Sequence, residues 1–246
     1  MPNYVPISHE TFADKSWVRP LSLKFAQHDV IAPLFADEAA EAMHSLPLAF
    51  VEQDQGFALV ALMGLKPEEN LLVSPEGNWL VEYVPVTYRS RPFRLIEVAD
   101  QAQQVLCIDQ DSVRDDQQGE PFFEDGKITD FISQILEREQ KFTAHRQLTR
   151  QICTLLQELD LIKPWNLVVD EDGEERQVGG LFRIDEVALN TLSQEDFFRL
   201  RQNAAFPVIY SQLLSARKIH TLAALFRHRP RPQEGSKNET FDFAGI

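Results

Sequence analysis

The residues best equipped for chemistry crowd into one stretch, Asn70 to Phe93, which reads NLLVSPEGNWLVEYVPVTYRSRPF. Its last eleven residues hold two Tyr, two Pro and two Arg, and no other stretch concentrates aromatic, cationic and chain-stiffening residues so tightly. Arg presents a planar fork of donors that matches a carboxylate, and Tyr adds a flat face with one polar tip. Trp79, Tyr83, Tyr88, Arg89 and Arg91 are therefore the ligand-binding candidates, with Arg94 beside them, for a surface that recognises anions or peptides. In an extended run Arg89, Arg91 and Phe93 share one face. The competing use of these guanidinium groups is structural: ion pairs with some of the 38 Asp and Glu residues that hold the sheet to the helices. No residue here compels a reaction, so no catalytic residue is assigned.

Other chemistries lack their signatures. The six His, at positions 9, 28, 44, 145, 220 and 228, form no H-x-x-x-H or HExxH, and the chain has no C-x-x-C. His28-Asp29 misses the H-x-D/E spacing of a two-His, one-carboxylate site. No GxGxxG or GxxxxGK[ST] is present, and Gly179-Gly180 reads as a bulge or tight bend in a hairpin. There is no G-x-S-x-G, and neither Cys107 nor Cys153 has a basic neighbour to activate it. The acids of Asp109–Asp116 lack the calcium-loop frame, and Asp170-Glu171-Asp172-Gly173 resembles one in composition alone. No metal and no cofactor are expected.

Composition narrows the partners. The chain has 246 residues, 43% of them hydrophobic and 25% charged, as in an ordinary globular protein. Its net charge of −14 argues against a general nucleic-acid binder and against anionic membrane surfaces. No apolar run approaches the roughly 18 residues of a spanning helix, so no membrane insertion is expected. The opening MPNYVPISHETFADKSW has no apolar core of a secretory signal, which places the protein in the cytoplasm. There, two buried thiols are a better reading of Cys107 and Cys153 than a disulfide.

The elements that must position the candidates follow from periodicity. Extended pieces are expected at Tyr4–Ile7 and Leu21–Phe25, then a short helix over Phe35–Met43 capped by Asp37 and stopped by Pro47. Leu48–Val51 and Phe57–Gly64 read as strands, the second apolar enough to be covered on both faces. Asn70–Val73 and Asn78–Val84 read as a hairpin about Ser-Pro-Glu-Gly, followed by strands at Phe93–Val98 and Val105–Ile108. The acidic, Gln-rich Asp109–Pro121 is expected to be an exposed loop. From Ile128 the period becomes 3.6 and runs to Pro164, with Thr129 or Asp125 as cap and Phe142–His145 either a short break or none.

Asn166–Ile184 returns to strands, Ser193 caps a helix through Phe197, Phe198 and Leu200, and Pro207 begins a last helix. That helix has one apolar stripe, Ile209, Leu213, Ala216, Ile219, Ala223 and Phe226. The fold class is α+β: a largely antiparallel sheet from the N-terminal half packed against helices from the C-terminal half. It forms a single domain over residues 1–228, with 229–246 a flexible tail whose apolar end, FDFAGI, can dock.

Several of these landmarks occur together. Pro47-Leu48-Ala49-Phe50 is followed by Val60-Ala61-Leu62-Met63-Gly64-Leu65, then Asn70-Leu71 with Gly77-Asn78-Trp79. Tyr83-Val84-Pro85, Arg89 and Pro92-Phe93 come next, then Leu106-Cys107-Ile108-Asp109 and Gly180-Leu181-Phe182-Arg183-Ile184-Asp185-Glu186. The chain resembles the SapC family of bacterial S-layer-related proteins over nearly its whole length. Its Trp-x3-Tyr-x-Pro-x3-Arg-x2-Pro-Phe core is fairly specific. It departs from the family pattern at Ser90-Arg91, where a basic and then an aromatic residue are expected.

The resemblance carries no catalytic mechanism, and it is distinct from the peptide-transport permease of the same name, which needs spanning helices. It implies a bacterial source and an accessory role in uptake or peptide modification, beside flavin-dependent halogenase-like, cupin-like and TonB-dependent receptor systems. The leading expectation is thus a non-enzymatic binding protein for a peptide, a protein tail or an enzyme partner. The rivals are an enzyme acting on an acidic or peptidyl substrate through Arg89 and Arg91, and an S-layer-related structural protein.

Overall fold

The computed structural model describes residues 3–97, 104–116, 118–171, 174–228 and 241–242. The chain folds into two compact units, Met1–Leu21 with Thr87–Ala144 and Ser22–Val86 with His145–Ile246. Its class is α+β, and all but one of the strand pairings are antiparallel among the described residues.

In the first unit a three-stranded sheet runs in the order Tyr4–Pro6, Gln104–Asp109, Phe93–Glu97. Phe93 pairs with Ile108 and Leu95 with Leu106, so the period of 2 sends these four side chains to one buried face. Phe12, Trp17, Phe122, Ile132 and Ile135 complete that core. Trp17 meets Phe93 edge-on at 4.7 Å and Phe12 meets Phe122 at 5.0 Å, the geometry that ring quadrupoles favour. Asp109–Pro121 is not the bare loop that its polarity suggests. Val113–Arg114 and Glu120–Pro121 pair with either edge of Ser16–Trp17, and Ser112 is buried. The backbone finds partners there while most of the polar side chains stay in water.

The second unit is built on a five-stranded antiparallel sheet. Its order is Ile162–Pro164, Leu181–Ile184, Leu48–Gln53, Gly56–Leu62, Ile31–Pro33. Leu59 to Leu62 are all buried, as expected of an apolar central strand. Both border strands are three residues long and end on proline, Pro33 and Pro164. A separate hairpin pairs Leu167–Glu171 with Glu174–Gly179, and Phe241–Asp242 lies parallel to Val178–Gly179. The rest of the expected tail, 229–240 and 243–246, lies outside the described residues, as do Val98 and the turn at 172–173.

Four longer helices follow the 3.6 period: α1 (Asp130–Glu158), α2 (Gln194–Gln202), α3 (Phe206–Ser215) and α4 (Ile219–His228). Thr129 accepts from the Ile132 amide at 3.3 Å and so caps α1, which continues through Phe142–His145 without a break. Ser193 caps α2, accepting from Asp196 N at 3.0 Å. Ala204 at φ 52° turns the chain out of α2, with Ala205 N returning to Leu200 O at 3.0 Å. α3 then packs on the sheet, with Pro207 in its first turn. Gln212, fully buried, accepts from Ile184 N at 2.9 Å and donates to Leu48 O at 3.3 Å. Ser215 accepts from Leu48 N at 3.0 Å.

Further expected elements differ. The last helix, expected in one piece from Pro207, is interrupted by a turn at Ala216–Lys218 between α3 and α4. The helical run expected from Ile128 to Pro164 is confined to α1, with Lys127–Ile128 and Ile162–Pro164 as strands. Leu21–Phe25 is not extended: Lys24–Ala26 is a 3-10 turn, and the strand comes later at Ile31–Pro33. The helix expected over Phe35–Met43 shrinks to one turn, Ala39–Ala42, and Asp37 does not cap it. Its carboxylate instead takes His145 Nδ1 at 2.8 Å.

Candidate functional site

The Ser74–Asn78 turn forms as its residues demand. Gly77 adopts φ 91°, its amide donates to Ser74 O at 2.8 Å, and a Cβ there would lie 1.9 Å from Ser22 Oγ. The Ser74 hydroxyl donates to Glu76 at 2.8 Å and holds that carboxyl below the usual carboxylate range. The hairpin arms do not form: one isolated bridge, Val73 to Trp79, is all the ladder there is. The reason lies in Asn70 and Trp79, whose side chains spend their polar groups elsewhere. Asn70 Nδ2 donates to Ala26 O at 2.7 Å, and Trp79 Nε1 donates to Tyr83 O at 2.8 Å, which curls 79–83 instead of extending it.

The five candidate residues fall on both sides of the division at Val86, and each group is described in its own unit. In the second unit Trp79 and Tyr83 come together through that 2.8 Å bond, and the buried Tyr83 donates its hydroxyl to Glu38 Oε2 at 2.7 Å. Glu38, only 5% exposed, also accepts from Val86 N at 2.9 Å on the same oxygen and from Phe35 N at 2.7 Å on the other. A carboxylate buried this deeply persists because three donors replace its water.

Where the chain enters the first unit, Val86–Arg89 closes as a single helical turn, so the extended alternation expected for Arg89, Arg91 and Phe93 does not exist. Tyr88 is buried and Arg89 is exposed. Arg91 sets Nη2 3.4 Å from Asp109 Oδ2, with the two side chains 10% and 11% exposed, and its Nε donates to Tyr4 Oη at 3.4 Å. Arg94 is exposed on the edge strand. Tyr83 and Arg91 therefore have carboxylate partners that hold the fold, the structural use of these groups.

Glu38 and Asp109 went unsingled in the sequence. Glu38 follows Asp37 and Asp109 stands two residues before Asp111, and nothing local marks which acid turns inward. A third feature was hidden by the choice of stripe on the last helix. Beside Ile209, α3 carries a second series at i, i+4 and i+8, Phe206, Tyr210 and Leu214. Tyr210 and Leu214 are exposed, as are Phe197 and Phe198 on α2, whereas Leu200 is buried. Phe206 bridges the two helices, 4.8 Å from Phe197 and stacked 6.0 Å from Tyr210. On another side of α2, Arg199 pairs with Glu158 at 2.8 Å and Asp196 at 3.3 Å. It forms one wall of an open polar cleft of about 470 Å³ shared with Gln147, Arg150, Gln151 and Asn203.

Chemically active groups are scarce around these features. Cys107 and Cys153 are buried, unbridged thiols. Burial pushes the Cys153 thiol up to about 12, against a weaker opposing hydrogen bond with the Leu59 backbone. Among the described residues no group of three His, Cys, Asp or Glu side chains could hold a metal ion, and no helix is long and apolar enough to cross a membrane.

An α+β chain with tied-down polar groups in its motif segment and an aromatic helical face is the class defined by this geometry. The chain belongs to the SapC family, whose model matches residues 7–222. No curated protein and no solved structure matches the chain.

Proposed function

We propose that this chain is a binding or accessory protein that holds a peptide, a protein tail or an enzyme partner. The observation that carries the reading is the run of exposed apolar side chains Phe197, Phe198, Tyr210 and Leu214 across α2 and α3. Scattered surface hydrophobes need no explanation, but aromatic residues contiguous through Phe206 have the composition of an interface core. The open cleft along α2 adds side-chain amides from Gln147, Gln151 and Asn203, groups suited to peptide backbone. Of the motif residues, Arg89 is exposed, and this reading assigns it to a partner's carboxylate. Two unbridged thiols suit a cytoplasmic setting. By family resemblance the partners belong to halogenase-like, cupin-like or TonB-receptor-associated systems of uptake or modification.

Affinity capture of the intact chain from its native cell tests this. A defined protein is expected to co-purify with the unaltered chain and to be lost from a Phe198→Ser/Tyr210→Ser variant whose circular dichroism is unchanged. Arg89→Ala is expected to weaken the capture. Recovery of a small molecule with no protein would overturn the reading in favour of an enzyme.

A further inference from the structure

We propose that the outward face of α2 and α3 receives an amphipathic helix of a partner protein whose apolar side is flanked by carboxylates. This rests on the binding-protein reading above and adds the chemistry of the partner. The face is held rigid from beneath, because Val208, Ile209, Ser211, Gln212 and Ser215 are buried on the opposite side of α3. Tyr210 and Leu214 therefore cannot turn inward. Phe206, Tyr210 and Leu214 climb about 12 Å along the helix at 1.5 Å per residue, the reach of two turns of an opposing helix with its own i, i+4, i+7 anchors.

Charge selects the occupant. Arg201 lies three and four residues past Phe198 and Phe197, on their side of α2, and Arg217 lies three past Leu214. Both are exposed, and neither has an ion pair among the described residues, in contrast to Arg199 with its two carboxylates. From Gln194 to His228 there are five Arg and Lys against two acids, a local excess of +3 in a chain of net −14. Carboxylates beside an apolar stripe would meet Arg201 and Arg217 at the rim while the rings cover the centre. A second copy docked through the same face would bring like-charged arginines together across a two-fold axis. An anionic lipid surface offers the matching sign locally but repels the remainder of the molecule.

Fluorescence anisotropy of two labelled synthetic helices, titrated with the full chain, tests the assignment. The two share one leucine stripe, and one carries Glu where the other carries Lys along its flanks. The Glu-flanked helix is expected to bind about tenfold or more tightly than the Lys-flanked one at low salt, and Arg201→Glu/Arg217→Glu is expected to reverse that order. Tyr210→Ser/Leu214→Ser is expected to weaken both. Equal binding, no binding, or no reversal overturns the proposal. So does co-sedimentation with phosphatidylglycerol vesicles, or self-association, that Tyr210→Ser abolishes. If neither helix binds while Phe198→Ser/Tyr210→Ser still loses its captured cellular protein, the acidic-helix assignment alone fails. If that variant keeps the protein, the docking face fails with it.

Discussion

Glu38 draws together three segments by its two oxygens: the entry to the Ala39–Ala42 turn, the Tyr83 hydroxyl and the start of the Val86–Arg89 turn. Each donor meets a carboxyl oxygen in a nearly dry site, where leaving one such group unpaired costs about 1–3 kcal/mol. Glu38→Gln keeps the volume but sets an NH₂ against donors, so a loss of about 2–4 kcal/mol in urea unfolding is expected. Asp37→Asn, at a carboxylate 53% exposed, is expected to cost less than about 1 kcal/mol by the same measurement. This distinction was not legible in the letters. Asp37 and Glu38 are adjacent acids before an alanine run, and the donors that choose between them come from residues 83 and 86. Ion pairing of the motif arginines was legible as a use, but the particular acids taken by Tyr83 and Arg91 were not. Those acids, Glu38 and Asp109, lie at sequence separations of 45 and 18, beyond any local pattern.

At the element scale, α3 works on two sides. Gln212 and Ser215 answer the backbone groups of Leu48 and Ile184 where the helix crosses the sheet. Gln212→Leu is nearly isosteric yet removes the partners of one buried N–H and one C=O, with an expected cost of about 2–4 kcal/mol in thermal or urea unfolding. Helix content at the start of the transition should not change. Where apolar spacing is long and regular, the elements were legible: the strands at Leu48 and Phe57, α1 except for whether it breaks at Phe142–His145, and α2 from its Ser193 cap. The arms of the 70–84 hairpin were not, because β-type residues were read without asking where the Asn70 and Trp79 side chains would send their donors. The docking face was also missed. The sequence places Phe197, Phe198 and Leu200 on one helix without assigning a face, and only the packing of Leu200 shows which side of α2 is inward.

For the molecule as a whole, α+β class and antiparallel pairing followed from the order of strand-like and helical runs. Family membership followed from the residue landmarks around Trp79 to Phe93, whereas the division into two units left no composition break to read. Cys153 links a buried residue to a global property. Its folded-state pKa, raised from 9.0 to about 12, means that the unfolded chain ionises first as pH rises. The thiol's contribution is complete below pH 9 and is lost as pH climbs from 9 towards 12. The stability of the unaltered chain is therefore expected to fall more steeply between pH 8 and 10.5 than that of Cys153→Ala. At pH 8, iodoacetamide should leave Cys153 unmodified until the chain unfolds. The proline endings of Ile31–Pro33 and Ile162–Pro164 reach further. Each margin of the large sheet lacks an amide hydrogen where a visiting extended peptide would need it, so recruitment by backbone pairing is discouraged at both. Contact through this sheet is thereby steered towards its side chains, since each border-strand proline removes one of the amides on which a second folded molecule could stack.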